Sequence, residues 1–166
     1  MEKKNLYIDF DGVILDTITP LYNSIKKDIK NPTREEEMEY YANYPWETIL
    51  VDDNIINDSI NCIKKIIKSD LFNLSILTHV CSMHEASLKI KYLRRYFKDI
   101  TIIPCPKDIS KTQMIHTKGS ILIDDYAGNL REWEKEEGIS IRFSQDNEDK
   151  GFKTINKLDQ VIDLFK

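Results

Sequence analysis

The sequence has 166 residues, which is enough for one domain with a hydrophobic core but too short for two full domains. Its 28 acidic and 24 basic residues give a net charge of −4 and an isoelectric point near 5.5. This charge argues against nonspecific electrostatic binding of nucleic acid. Its apolar stretches are too short for a signal-peptide core or a membrane span. Its three cysteines lack the paired spacing of metal sites, which fits reduced, buried thiols. We therefore expect a soluble cytoplasmic protein.

The first predicted element is a buried strand formed by the apolar run 6–8, which leads into two carboxylates, Asp9 and Asp11. Residues two apart on a strand face the same side, so both carboxylates can point toward one reacting group. Gly12 follows, and glycine accepts the positive φ of a sharp turn without a Cβ clash. Two carboxylates held this close repel each other, and a divalent cation bound between them would relieve that repulsion. The alternative is an ordinary strand end with an Asp-Gly turn.

Three helices are predicted after this turn. The first spans 20–29, where apolar residues recur every four positions. The second opens with a capping box formed by Thr33 and Glu36. The third, with isoleucines spaced by three or four, is predicted to be capped by Asp52 or Asp53.

The rest of the chain alternates strands with helices. Ser82 and Glu85 form a second capping box, Ser110 caps a brief helix that starts at Lys111, and Gly138 is the expected C′ residue of a later helix. The predicted strands are 72–77, 100–103, 120–123 and 139–143, and the predicted helices include 82–97, 128–137 and 155–165.

This alternation predicts an α/β fold: a Rossmann-like, parallel five-stranded sheet with helices on both faces. We expect a single core domain over residues 1–166, with a small α-helical cap inserted at 17–57. In such sheets the site lies at the carboxyl ends of the strands, near the switch in strand order. Three predicted strands end there in polar side chains, which are Asp9 with Asp11, Thr78, and Asp124 with Asp125.

The stretch 7–13 resembles the first motif of the haloacid dehalogenase (HAD) superfamily of phosphohydrolases, a hydrophobic strand ending in Asp-x-Asp-Gly-Val. The resemblance implies a covalent mechanism with Asp9 as nucleophile and Asp11 as general acid and base. It also implies Mg²⁺, held by Asp9, the Asp11 backbone carbonyl and one of the pair Asp124 and Asp125. Neighbouring strand residues face opposite ways, so the other member should orient the site or act through water. The superfamily usually employs the second residue of the pair, which favours Asp125.

The segment 121–143 narrows the resemblance, because Ile-Asp-Asp, then Asn-Leu-x-x-Trp, then Gly-Ile looks like the closing motif of the 5′(3′)-deoxyribonucleotidase-like branch. Those enzymes are also similar in their short helical cap. Thr78 stands where the superfamily places a residue that hydrogen-bonds the phosphoryl oxygens. The third motif requires a lysine, and Lys111 at its helix start is preferred to Lys118, which looks like a turn residue.

Several aromatic residues of the expected cap cluster where the second predicted helix ends, and they could stack on a nucleobase. They are Tyr40, Tyr41, Tyr44 and Trp46. Packing of the cap against the core is the alternative reading. His79, beside Thr78, could touch substrate or be a solvated loop histidine.

The sequence therefore predicts Mg²⁺-dependent hydrolysis of a small phosphomonoester, most simply a (deoxy)nucleoside monophosphate, through an aspartyl-phosphate. It predicts no membrane partner and no extended nucleic-acid binding. Three other functions stay open: a phosphatase acting on sugar phosphates, a phosphotransferase using the same aspartates, and a catalytically silent binding domain. The net negative charge of the protein argues against a phosphatase that acts on the ends of polynucleotides. Base and sugar preference and oligomeric state are left open.

Overall fold

The structure is a computed structural model that describes residues 2–146 and 148–166. Within these residues six strands form one sheet, in which every pairing is parallel. The strands are β1 (Lys4–Ile8), β2 (Phe72–Val80), β3 (Thr101–Pro106), β4 (Ile121–Asp124), β5 (Ile139–Phe143) and β6 (Lys153–Ile155). The predicted parallel α/β sheet is confirmed, with six strands rather than five.

Helices lie in the connections between most consecutive strands, and a last helix follows β6. They are α1 (Ile18–Asp28), α2 (Arg34–Ala42), α3 (Ser59–Ser69), α4 (Met83–Arg94), α5 (Lys111–Met114), α6 (Ala127–Lys135) and α7 (Gln160–Leu164), together with two 3₁₀ helices at Trp46–Thr48 and Asp52–Asn54. None of the helices in the described part of the chain has the length and apolarity that crossing a membrane requires.

The strand order is β3-β2-β1-β4-β5-β6, so the chain moves outward from β1 to β3 and then returns to the other side of β1. This return places the switch in strand order at β1, whose last residue, Ile8, pairs with Ile76 of β2 and Ile123 of β4. All three isoleucines are fully buried. The carboxyl end of β1 is therefore the centre of the sheet edge where parallel α/β proteins place their sites.

The segment between β1 and α3 holds α1, α2 and both 3₁₀ helices, which the sequence assigned to a cap. The capping box of Thr33 and Glu36 is confirmed at the start of α2. Trp46, Ile49 and Leu50 belong to the same buried cluster as β1, so this part of the segment packs directly on the core. Its behaviour as a separate cap stays a prediction.

The predicted N-cap residue of α3 is wrong, because the helix begins at Ser59 and the two candidate aspartates, Asp52 and Asp53, lie in the preceding 3₁₀ helix. The Asp52 carboxylate is used elsewhere: it accepts hydrogen bonds from the hydroxyl groups of Tyr92 and Tyr96. A local pattern could not reveal this, since these tyrosines are 40 and 44 residues away.

The end of α6 also differs from the prediction. Glu137, not Gly138, adopts the left-handed conformation, with φ +60°. The N–H of Gly138 donates to the Trp133 carbonyl over 3.0 Å and the N–H of Glu137 to the Glu134 carbonyl over 3.0 Å, which is a Schellman motif with Glu137 at C′. Glycine is needed at 138 for space, since a Cβ there would lie 2.2 Å from Cδ1 of Trp133.

Two further differences concern the edges of the sheet. β3 was predicted to end at residue 103 but continues through Pro104 to Pro106. As an edge strand it tolerates residues that donate no N–H. The predicted closing helix 155–165 is shorter, because Ile155 ends β6, a three-residue strand too short to show a period, and the helix begins only at Gln160.

Candidate active site

The turn after β1 brings carboxylates from two neighbouring strands together. The N–H of Asp9 donates to the Ile123 carbonyl over 2.9 Å, so the pairing of β1 with β4 continues to the first aspartate. Gly12 has φ +76°, which confirms the predicted glycine turn. A Cβ at this position would lie 2.3 Å from Oδ2 of Asp125, so the glycine also gives that carboxylate room.

Asp9, Asp124 and Asp125 form a carboxylate cluster, in which one oxygen from each lies within 4.8 Å of the others. Such spacing is compatible with ligands shared around one Mg²⁺, which binds oxygen at about 2.0–2.1 Å in an octahedron. The side chain of Asp11 is not part of this cluster. A role for its backbone carbonyl as a ligand stays a prediction.

Lys111 lies against two of these carboxylates. Its Nζ is 2.9 Å from Oδ1 of Asp9 and 2.7 Å from Oδ2 of Asp124, and its side chain is buried. The Ser110 capping box that opens α5, with Gln113 as its second member, fixes the start of the helix that carries the lysine. Lys118, in contrast, is exposed and pairs with Glu137 on the surface. The structure therefore brings Lys111, not Lys118, to the aspartates.

The cluster carries more negative charge than its lysine neutralises. Burial, and then Asp124, raise the pKa of Asp9 to about 6 despite the opposing effect of Lys111. Burial, and then Asp9 and Asp124, raise the pKa of Asp125 to about 9. Burial by itself would lower the pKa of Lys111, but the Asp124 and Asp9 carboxylates raise it above its usual value. A divalent cation would relieve this excess charge, so the donor set fits Mg²⁺.

Asp124 is engaged on both of its oxygens. Oδ1 accepts the backbone N–H of Tyr126 over 2.9 Å, and Oδ2 accepts from Lys111 and from Nδ2 of Asn129, the latter over 3.0 Å. It is fully buried. A carboxylate held in this way is suited to orienting its neighbours, which leaves Asp125 as the freer oxygen donor of the pair.

Asp11 is also held on both oxygens, but by different partners. The hydroxyl group of Thr17 donates to Oδ1 over 2.6 Å, and Nζ of Lys89 donates to Oδ2 over 2.7 Å. The Asp11 side chain keeps 23% of its surface exposed. It can therefore meet a substrate or water while its orientation is fixed from behind.

Lys89 of α4 is a polar core residue that the sequence analysis missed. Burial by itself would lower the pKa of its ammonium group, but the Asp11 and Glu85 carboxylates raise it above its usual value. The Glu85 carboxylate accepts hydrogen bonds from Lys89 and from the Cys81 N–H, so only the Ser82 half of the predicted capping box exists. The i, i+4 spacing of Glu85 and Lys89 was the available signal.

β2 continues to Val80, so Thr78 and His79 both lie on the strand. Thr78 is buried, and its hydroxyl oxygen accepts from Lys89 over 3.2 Å. Nε2 of His79 lies 3.0 Å from the Ile109 carbonyl, to which it donates. Burial, and then the charge of Lys111, lower the pKa of His79 to about 4. The description of His79 as a solvated loop residue is therefore wrong.

The aromatic residues of the expected cap differ in their surroundings. Trp46 is only 2% exposed, donates through Nε1 to the Tyr41 carbonyl, and has its ring centre 4.8 Å from Nζ of Lys89. Tyr41 and Tyr44 are half-buried against the core, and Tyr44 also lines a cleft of about 580 Å³ beside α1 and α2. Base stacking by the tyrosines stays a prediction, whereas the burial of Trp46 favours the packing alternative.

Comparison with known proteins finds similarity in structure alone. No protein-family model matches the chain, and no curated protein matches its sequence. A HAD hydrolase, YfnB from Bacillus subtilis, solved with magnesium, superposes with a TM-score of 0.67 at 13% identity over 100% of both chains. A hydrolase from Pseudomonas syringae gives 0.62 at 14% identity over 98% of each chain.

A third solved structure is D,D-heptose 1,7-bisphosphate phosphatase from B. bronchiseptica, complexed with magnesium and phosphate. It superposes with a TM-score of 0.56 at 12% identity over 97% of each chain. At these identities the likeness concerns the fold. The chain therefore has the fold of HAD-superfamily hydrolases, as its motifs predicted.

Proposed function

We propose that the protein is a Mg²⁺-dependent phosphatase that hydrolyses a small phosphomonoester through an aspartyl-phosphate on Asp9. One observation carries the proposal: the buried Asp9 carboxylate lies beside Asp124, Asp125 and Lys111 at the strand-order switch. A buried cluster of three carboxylates and one ammonium group is costly without a ligand. The HAD fold of the chain and the magnesium of two structural neighbours support this reading.

In the proposed mechanism, an oxygen of Asp9 attacks phosphorus and the bond from phosphorus to the ester oxygen breaks. Asp11 gives its proton to the departing alkoxide and then accepts a proton from the water that attacks the aspartyl-phosphate. Inorganic phosphate leaves and the Asp9 carboxylate is restored. Lys111 and Thr78 hold the phosphoryl oxygens. Mg²⁺, when bound by Asp9, Asp125 and the Asp11 carbonyl, would offset the repulsion between nucleophile and phosphate.

We propose nucleoside monophosphates, deoxy forms first, as the substrate class. The likeness of 121–143 to the deoxyribonucleotidase-like closing motif and the half-buried Tyr41 and Tyr44 support this choice. Sugar phosphates are the second candidate, because Trp46 is buried and one structural neighbour is a heptose bisphosphate phosphatase. All three cysteines are free thiols, in keeping with the cytoplasmic location that we propose.

The test is inorganic phosphate release from a panel of deoxynucleoside, ribonucleoside and sugar monophosphates, with Mg²⁺ and with EDTA. Release that needs Mg²⁺ and favours deoxynucleotides would support mechanism and substrate class together. Release from sugar phosphates alone would support the mechanism but contradict the proposed nucleotide substrates. A protein inactive on every substrate would instead be a binding domain.

The matched variant is Asp9→Asn, which keeps the shape of the side chain but removes the nucleophile. We expect turnover to be abolished while circular dichroism and thermal unfolding still report a folded protein. Appreciable phosphatase activity in the folded variant would contradict the assignment of Asp9.

A further inference from the structure

Lys89 is a fully enclosed charged side chain beside the site. It is 0% exposed, yet its Nζ lies 2.7 Å from Oδ2 of Asp11 and 2.7 Å from Oε2 of Glu85. The same nitrogen donates to the Thr78 hydroxyl oxygen over 3.2 Å and to the His79 carbonyl over 3.1 Å. One ammonium group therefore joins α4, the end of β2 and the turn after β1.

A structural role alone does not account for these contacts. Glu85, four residues earlier on the same helix, would be enough to neutralise a buried lysine. The second carboxylate, from Asp11, comes from 78 residues away in sequence and belongs to the proposed proton-transfer group. Two carboxylates facing one buried ammonium group leave a net negative charge, which stability by itself does not favour.

Two aromatic rings cover Lys89. Its Nζ is 5.3 Å from the ring centre of Phe10 and 4.8 Å from that of Trp46. Trp46 belongs to the segment between β1 and α3, so part of the expected cap closes over the ammonium group. Exclusion of water strengthens the interaction of the ammonium group with both of its carboxylate partners.

We propose that Lys89 is a positioning residue that acts through Asp11 and Thr78. This inference rests on the proposed phosphatase function. With Thr17 on Oδ1 and Lys89 on Oδ2, the Asp11 carboxyl has one orientation from which to give a proton to the leaving alkoxide and to take one from water. Lys89 also fixes the Thr78 hydroxyl group that would meet the phosphoryl oxygens. Lys89 itself touches neither substrate nor metal.

The experiment compares two substrates that differ in their need for a proton. An alkyl phosphate requires protonation of its leaving oxygen, whereas p-nitrophenyl phosphate releases a stable phenolate without it. The value of kcat/KM reports the step in which the leaving group departs, so the ratio of kcat/KM between the two substrates measures proton donation by Asp11. A general loss of folded protein would lower both values equally and leave the ratio unchanged.

The variants are Lys89→Met and the double variant Lys89→Met/Glu85→Gln. The double variant removes one carboxylate together with the ammonium group, so it keeps the test open if the single variant does not fold. Lys65→Met is the matched control, because Lys65 also pairs with a carboxylate, Asp159, but lies on the surface away from the site.

For the Lys89 variants we expect kcat/KM to fall about 100-fold with the alkyl phosphate and less than about tenfold with the aryl phosphate. With p-nitrophenyl phosphate, kcat should fall further than kcat/KM, with a burst of one p-nitrophenolate per active site, because Asp11 then activates water poorly. The control should match the wild type on both substrates. Equal losses on both substrates, or no loss, would overturn the proposal, whereas a wild type inactive on both would overturn the phosphatase function beneath it.

Discussion

We predict that His79 couples the stability of the protein to pH. Its pKa is lowered from 6.5 to about 4, first by burial and then by the charge of Lys111, so the folded protein keeps the ring neutral. The unfolded chain takes up a proton as pH falls below 6.5, and the folded state does so only near 4. Stability due to the neutral ring is therefore complete above pH 6.5 and is lost progressively between pH 6.5 and 4.

The size of the effect follows from the shift. At pH 5 the difference in proton uptake corresponds to roughly 2 kcal/mol, and solvent screening at the partly buried ring reduces this to about 1 to 2 kcal/mol. Urea unfolding at pH 7.5 and pH 5.0 measures it. The variant His79→Gln keeps an N–H that can donate to the Ile109 carbonyl but removes the titration, so it should lose less stability than the wild type by that amount.

The matched control is His84→Gln, because His84 lies exposed on α4. It should show the same dependence on pH as the wild type. If the wild type and His79→Gln lose equal free energy of unfolding between the two pH values, the environment assigned to His79 is wrong and the reasoning fails.

Two further predictions concern the carboxylate cluster. Lys111→Met leaves Asp9 and Asp124 without their cation and should lower the free energy of unfolding in urea by about 3 to 5 kcal/mol, whereas Lys118→Met should change it by less than about 1 kcal/mol; similar effects for both would contradict the placement of Lys111. Because burial, Asp9 and Asp124 raise the pKa of Asp125 to about 9, we expect the metal-free site to hold a proton at pH 7 that binding of the proposed Mg²⁺ would displace. Calorimetry in buffers of different ionisation enthalpy should find about one proton released per Mg²⁺ at pH 7; zero release would refute this.

The local features of the chain were accessible from its sequence. The buried strand before Asp9, the glycine turn at Gly12, and the helix starts after Thr33 and Ser110 depend on residues a few positions apart. Periodicity and capping act over this range, so they can be read without a structure. The alternation of these elements was enough to predict a parallel sheet with its site at the carboxyl ends of the strands.

Two of the errors, at Asp52 and at Glu85, share one physical cause, which is competition from partners outside the predicted capping motif. Asp52 does not cap α3, because its carboxylate accepts from tyrosines on α4. Glu85 does not complete its capping box, because its carboxylate holds Lys89 and the Cys81 N–H. In each case a short-range rule was correct about the residue type but could not weigh a stronger contact made in the folded protein.

The sequence by itself determined the class of fold, the strand that ends in Asp9 and Asp11, and the set of residues from which a site could be built. Only the tertiary structure decided that Lys111 lies against Asp9 and Asp124 while Lys118 remains on the surface. It also showed that Lys89 holds Asp11 beneath Trp46. The physical reason is that residue type and spacing encode local conformation, whereas the pairing of charges 78 to 102 residues apart depends on how the sheet brings its strand ends together.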